Sequence, residues 1–309
     1  MKSDFLSIDL VYLWVDGSDP KWLKNKERFL DRKINLVGRY QNNQELKYSL
    51  RSVEKHLPWI RKIFIVTDNQ IPSFLNVNHS KIHIIHHSEI IPKKYLPSFN
   101  SSVIEHFIYK IPELSEHFLF SNDDMFVNAD LEQSFFFRNE IPVMRMLYDP
   151  LIKKKLVLKR FFKKKINTYR LAIENAYNLF YDRFGVFYSV KEHHNIHAFL
   201  KSDYKYVIED IFGKDLKSMY FNRFRHESDI HRILVNYYGI HNKRGILKNS
   251  DRKESCRIRV HKTNYQRYID KYNPKLFCLN DSEHATDKDR AHVEPFLKKL
   301  FPEKASFEK

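Results

Sequence analysis

Glycine is scarce in this chain, with 6 residues among 309, and neither GxGxxG nor GxxxxGK(S/T) occurs anywhere. That argues against a phosphate cradled by a glycine-rich backbone loop, and so against dinucleotide-binding Rossmann enzymes and P-loop ATPases. Cysteine is rarer still. Cys256 and Cys278 stand alone; they make neither a disulfide framework nor a CxxC metal site, and they point to a reducing compartment. No apolar run approaches the roughly 20 residues that cross a bilayer. The opening Met1-Lys2-Ser3-Asp4 has no signal-peptide core. The expectation is a cytoplasmic protein, or one peripheral to a membrane.

What the chain has in excess is positive charge. Lys and Arg total 54 against 38 acids, a formal +16, which suggests a polyanionic partner: nucleic acid, anionic lipid or a phosphorylated substrate. A hydrophobic content of 42% over this length is enough to bury one large core or two smaller ones.

The first 145 residues alternate strand and helix signals. Ile8 to Val15 is an apolar run interrupted only by Asp9, and it reads as a buried strand. Further strands are expected at Lys62–Thr67, Lys81–His86 and His117–Phe120. Helical spacing runs from Asn43 to His56, with Leu46, Leu50 and Val53 on one stripe, and again from Ser101 to Tyr109. Strands separated by helices imply a largely parallel sheet. From 150 to 192, Lys153-Lys154-Lys155, Lys159-Arg160 and Lys163-Lys164-Lys165 alternate with apolar residues. Two readings stand: a segment lying on an anionic membrane surface, or a solvated helix packed on the domain. The stretches 197–240 and 293–300 read as helical.

In such a sheet the carboxyl ends of the strands open into one crevice. Three of these ends carry acids or amides: Asp16 after the first strand, Asp68-Asn69 after the second and Asp123-Asp124 after the fourth. Paired carboxylates there can hold a divalent cation, and the cation can hold phosphate; a strand running into a polar turn is the plainer reading. Gly17 beside Asp16 permits close approach by a ligand. Glu105, in Ser101-Ser102-Val103-Ile104-Glu105-His106, is either a first-turn acid favoured by the helix dipole or a crevice residue. His193-His194-Asn195-Ile196-His197 offers a zinc ligand set, a general base or a structural cluster. Arg223, Arg225 and His226 offer fork-shaped contacts to phosphate, or a surface cluster before a helix.

Taken together, these segments resemble the Stealth family of sugar-phosphate transferases, which includes bacterial capsular-polysaccharide phosphotransferases and the animal GlcNAc-1-phosphotransferase. Region one is similar to Ile8 through Asp19. Region two runs from Glu45-Leu46-Lys47-Tyr48-Ser49-Leu50-Arg51-Ser52, through Trp59–Thr67 and Leu96-Pro97-Ser98-Phe99, to Asn122-Asp123-Asp124. Region three is similar to His194 through Arg225-His226-Glu227-Ser228-Asp229. Region four is similar to Phe277-Cys278-Leu279-Asn280-Asp281 with the tail Phe301-Pro302 and Ser306-Phe307-Glu308. The likeness covers most of the chain. It departs at Ile196, where the family usually has Pro, so His197 stands as a second candidate for the histidine.

The resemblance implies an α/β fold: a mostly parallel sheet flanked by helices, a Rossmann-like or GT-A-like core, and a helical C-terminal half contributing to the active site. Residues 1–149 would be the nucleotide-sugar-binding core, 150–192 a basic insertion facing membrane or acceptor, and 193–309 the part that completes the same catalytic domain. The implied reaction takes a UDP-sugar, typically a UDP-hexosamine, and moves sugar-1-phosphate to a hydroxyl of a glycan acceptor with loss of UMP. By similarity the catalytic residues map to Asp123, His194, Glu105 and Arg225. Asp16, Gly17, Arg51, Asn122 and Asn280 are expected at the nucleotide, and Asp124 and Asp281 at Mg²⁺ or Mn²⁺. The setting would be capsule or other cell-surface polysaccharide synthesis on the inner face of a bacterial membrane. A conventional metal-dependent glycosyltransferase releasing UDP is the alternative. Nucleic acid is set aside as a partner, because no nucleic-acid motif appears and acids occupy the expected rim. The oligomeric state stays open.

Overall fold

The computed structural model describes residues 6–30, 40–151 and 167–309. The lysine-rich runs at 153–155, 159–160 and 163–165 lie outside the described residues, so the two readings of that segment are not addressed. Five strands form the central sheet in the order β3-β2-β1-β4-β9: β1 (Ile8–Leu13), β2 (Ile63–Thr67), β3 (Ile82–His86), β4 (His117–Asn122) and β9 (His197–Leu200). The first four run parallel and β9 is antiparallel to β4. The fold is thus α/β with a mostly parallel sheet, and the apolar runs that suggested strands are those strands. β1, β2 and β4 are buried on both faces and have no polar face to alternate with, while β3, at the sheet edge, is partly exposed.

Asp9, the one acid inside β1, is fully buried. Arg61 grips both of its oxygens at 2.9 and 2.6 Å, and the Ser115 backbone N–H adds a bond of 2.7 Å. A charge inside an apolar strand persists only when it is paired in this way. It lies at the amino end of the sheet, opposite the rim that concerns function.

Among the described residues, two smaller sheets accompany the central one. One pairs β7 (Ile141–Tyr148) with β6 (Phe137–Arg138), β8 (Val190–Glu192) and β10 (Ile246–Asn249). The other runs β11-β12-β5, with β11 Ser255–Arg259, β12 Leu276–Asn280 and β5 Met125–Val127. The longer helices are α1 (Pro20–Glu27), α2 (Glu45–His56), α3 (Thr168–Phe184), α4 (Ile233–His241) and α5 (Val293–Leu300). In α2 the stripe Leu46, Leu50, Val53 is buried, as its spacing requires. Asp19 begins α1 by accepting from the Lys21 and Trp22 N–H groups, with Pro20 at the first position.

The second half is mainly helical but also supplies strands. His197-Ala198-Phe199-Leu200, expected as the start of a helix, is β9. Four apolar or aromatic residues show no helical period, and pairing with β4 decides their conformation. One hydrophobic core joins the halves: Val11, Phe64 and Phe120 pack in the same cluster as Ile173, Tyr204 and Leu234. Among the described residues no helix is long and apolar enough to cross a membrane.

Candidate active site

Register fixes the rim. Leu13 pairs with both Val66 and Asn122, and Thr67 pairs with His86. Asp16, Asp68 and Asp123 therefore follow strand ends that lie side by side. Asp123 and Asp124 form the two-residue turn between β4 and β5. The third sheet holds this turn in place, since Leu279 of β12 donates its N–H to the Asp124 carbonyl at 3.0 Å.

The turn is crowded with negative charge. Asp123 is pushed well above the usual carboxylate range, first by burial and then by the Glu45 and Asp124 carboxylates. Glu45, at the first position of α2, is pushed up to about 7, again by burial first, although Asn43 donates to both of its oxygens. Asp124 turns one oxygen to His194, whose Nε2 lies 3.0 Å away. Its other oxygen, Oδ1, is buried and has no hydrogen-bond partner among the described residues. Burial alone would lower the His194 pKa, but the neighbouring Asp124 carboxylate outweighs it and holds the imidazole above its ordinary value.

A second group lies deeper. Arg232 is buried between two glutamates, donating from Nε to Glu105 at 2.7 Å and from Nη1 and Nη2 to Glu192 at 2.5 and 3.1 Å. Its guanidinium carbon stands 4.6 Å from the Phe120 ring centroid. Glu105 is the last residue of the short helix Ser101–Glu105, so the first-turn dipole reading is corrected. The cap of that helix is Asn100, which accepts from the Ser102 N–H at 3.1 Å. Asn100 also donates to Asp229 at 2.9 Å and to the Asn222 and Phe224 carbonyls at 3.2 Å each. The loop 222–229 is thereby tied to this helix. Arg225, carried on the loop, donates to Ser101 Oγ at 2.7 Å and has no carboxylate ion pair among the described residues.

These contacts connect the four expected catalytic residues. Asp123 adjoins Asp124, which bonds His194. Glu192 lies two positions before His194 and shares Arg232 with Glu105, and Arg225 bonds Ser101 at the start of the Glu105 helix. Among the other expected residues, Asn122 ends β4, and Asn280 ends β12 beside the acidic turn. Asp16 is turned inward on its own loop, where its Oδ1 accepts from the Ser18 N–H and Oγ at 2.9 and 2.6 Å.

Gly17 is needed by the chain itself, since a Cβ there would lie 1.9 Å from the Tyr40 carbonyl oxygen, and it also lines a cavity. Three other expectations change. Arg51 is spent elsewhere, gripping Glu308 at 2.6 and 2.8 Å and the Phe301 and Pro302 carbonyls at 3.0 Å each. Asp281 is engaged by Arg290 at 2.7 and 3.2 Å. The histidine cluster diverges. His193 bonds Ser255 Oγ at 2.9 Å, while His197 is buried against the His193 carbonyl at 2.6 Å. Among the described residues no three His, Cys, Asp or Glu side chains converge as a metal cage. A cavity of about 320 Å³ opens beside Asp16, with Gly17, Ser18, Lys26, Tyr40 and Asn42 in its walls; neither Asp123 nor Asp124 lines it.

Three features around the rim were not read from the sequence. Gln70 clamps the Asp16 backbone from both sides, accepting its N–H and donating to its carbonyl at 2.9 Å each. Arg232 and Glu192 look like ordinary surface charges in a linear reading. Arg257, whose positive charge reaches His193 and His194, did leave a signal: Cys256-Arg257-Ile258-Arg259-Val260 alternates with a strand's period of two.

The chain matches two family descriptions: Stealth protein CR1, conserved region 1, over residues 7–33, and Stealth protein CR2, conserved region 2, over residues 39–144. The capsular polysaccharide phosphotransferase WcwK of Streptococcus pneumoniae is 32% identical over 334 residues, covering 98% of this chain and 99% of that one. The capsular polysaccharide phosphotransferase fcs1 of Haemophilus influenzae is 34% identical over 301 residues, covering 91% and 80%. Among solved structures, the galactosyltransferase LgtC, crystallised with donor and acceptor sugar analogues, aligns with a TM-score of 0.48 at 10% identity over 96% of both chains.

Proposed function

The chain belongs to the Stealth family of capsular polysaccharide phosphotransferases, and on that premise we propose that it moves a hexose-1-phosphate, with an N-acetylhexosamine as the sugar, from a UDP-sugar to a glycan hydroxyl. A new P–O bond forms between the acceptor oxygen and the phosphorus that carries the sugar. The bond from that phosphorus to the bridging oxygen breaks, and UMP leaves with the electron pair. The sugar C1–O bond is untouched, so the anomeric configuration is kept. The observation that carries this reading is the Asp124–His194 contact of 3.0 Å at the crowded rim of the parallel sheet.

Each residue type suits its assigned task. With Nε2–H donated to Asp124, the His194 Nδ1 presents its lone pair to the acceptor hydroxyl and takes the proton, while Asp124 steadies the imidazolium. Arg225, with no carboxylate partner among the described residues, offers its fork to the transferring phosphoryl oxygens. Glu105, held by Arg232, is assigned to the hydroxyl groups of the sugar. Asp123 and Asp124 fit a divalent cation of the Mg²⁺ or Mn²⁺ type, because hard oxygens crowd one turn and Asp124 Oδ1 is orphaned. When bound, such a cation neutralises charge on the diphosphate; donor oxygens and water would complete its shell. We read residues 1–149 and 193–309 as one catalytic unit, with 150–192 as the acceptor- or membrane-facing part, at the inner face of the membrane.

The test offers a panel of UDP-sugars with a glycan acceptor and identifies the nucleotide released. UMP is expected. UDP without UMP would show glycosyl transfer and overturn the proposal.

A further inference from the structure

We propose that Arg257 and Arg259 form a subsite for an acceptor that already carries phosphate, a proposal that rests on the reaction assigned above. β11 is the edge strand of its sheet, paired only with β12. Along it Cys256, Ile258 and Val260 are buried at 2, 0 and 0% exposure, whereas Arg257 and Arg259 are exposed. Alternation along a strand puts both guanidinium groups on one face, roughly 7 Å apart.

That face adjoins the transfer site. Arg257 pairs across the sheet with Cys278, and Cys278 pairs with Met125, the residue after Asp124. Two residues before Arg257, Ser255 bonds His193 Nδ1 at 2.9 Å and accepts from Asn195 Nδ2 at 2.6 Å, on either side of His194. Neither arginine has a carboxylate ion pair among the described residues, whereas Arg51, Arg61, Arg232 and Arg290 do. Two exposed guanidinium groups without a carboxylate ion pair among the described residues are thus available to a ligand, with Arg257 the one near the assigned base and Arg259 two residues further along the same face.

The chemistry of the reaction names that ligand. Every transfer leaves a phosphodiester, which is permanently negative at neutral pH. An acceptor extended by an earlier transfer carries this charge close to its next hydroxyl, and Arg is the side chain whose geometry matches phosphate oxygens. A neutral glycan would gain nothing from two exposed guanidinium groups. The phosphate tail of a lipid-linked glycan offers the same chemistry as a phosphodiester within the chain.

The test uses the full chain and three acceptors built on one sugar: neutral, with an internal phosphodiester, and with a terminal lipid diphosphate. The wild type should show a KM roughly tenfold lower for at least one charged acceptor than for the neutral one, the scale of a charge-assisted contact. The preference should shrink in high salt. Arg257→Ala with Arg259→Ala should erase it while the donor KM stays within twofold, and the Arg→Lys pair should restore part of it. The charged acceptor that responds identifies the source of the phosphate. Equal KM for all three acceptors in the wild type, or a variant that raises the donor KM instead, overturns the subsite and leaves the reaction standing. A wild type that releases no UMP overturns the reaction and the subsite with it.

Discussion

Asp123 is costly to the fold when charged, and the proposed reaction requires it. Burial, Glu45 and Asp124 all oppose its charge. Asp123→Asn removes that charge and keeps the shape. In EDTA at pH 7.5 its thermal midpoint is expected to rise, because burial and two neighbouring carboxylates oppose the charge that is removed, while turnover is lost. Calorimetry and a UMP assay read the two effects; a variant that turns over normally removes Asp123 from the site. Arg225 carries the complementary charge. Arg225→Ala should lower kcat/KM by about two orders of magnitude or more, the scale of losing a group that stabilises transition-state charge. An unchanged value would leave Arg225 with the structural role of holding the 222–229 loop to Ser101.

At the scale of elements, the C-terminal tail is bound to α2 by Arg51 and by Glu54, which accepts from the Ser306 N–H and hydroxyl. Arg51 and Glu308 are both nearly buried, at 6 and 3% side-chain exposure, and share a two-pronged ion pair. Breaking such a pair from one side costs about 3–5 kcal/mol. Arg51→Met should therefore lower the urea midpoint strongly, yet keep the donor KM of the folded fraction within about threefold. A large rise in donor KM would return Arg51 to the nucleotide. The sequence made the strands and their acidic ends legible, because β1 to β4 are buried runs that stop at Asp16, Asp68, His87 and Asp123. It gave Arg51 to the wrong partner because Glu308 is 257 positions away. It likewise hid β9, too short for a period to appear, and the Glu105–Arg232–Glu192 group, whose members come from three separate segments. Local pattern reports which face of an element is apolar; it does not report which distant charge will meet it.

Across the whole molecule, buried histidines set the response to acid. His87, His106 and His231 are held to about 4, 3 and 3, chiefly by burial. Each is neutral when folded and ionises near 6.5 when unfolded. Their contribution to stability is complete above about pH 6.5 and is lost as pH falls toward those values. At pH 5 the loss is on the order of 2 kcal/mol for each. His193 and His197, also lowered, add to it, whereas Glu45 and Asp123, raised, act in the opposite sense. The urea midpoint should drop clearly between pH 7.5 and pH 5; an equal or higher midpoint at pH 5 contradicts this balance. Whether the rim at Asp123, His194 and Arg225 transfers sugar together with its phosphate is decided by a UDP-sugar bearing ³²P at the phosphorus attached to the sugar. The label is expected to enter the glycan acceptor while unlabelled UMP is released. Label retained in UDP, with unlabelled sugar on the acceptor, would overturn the proposed transfer.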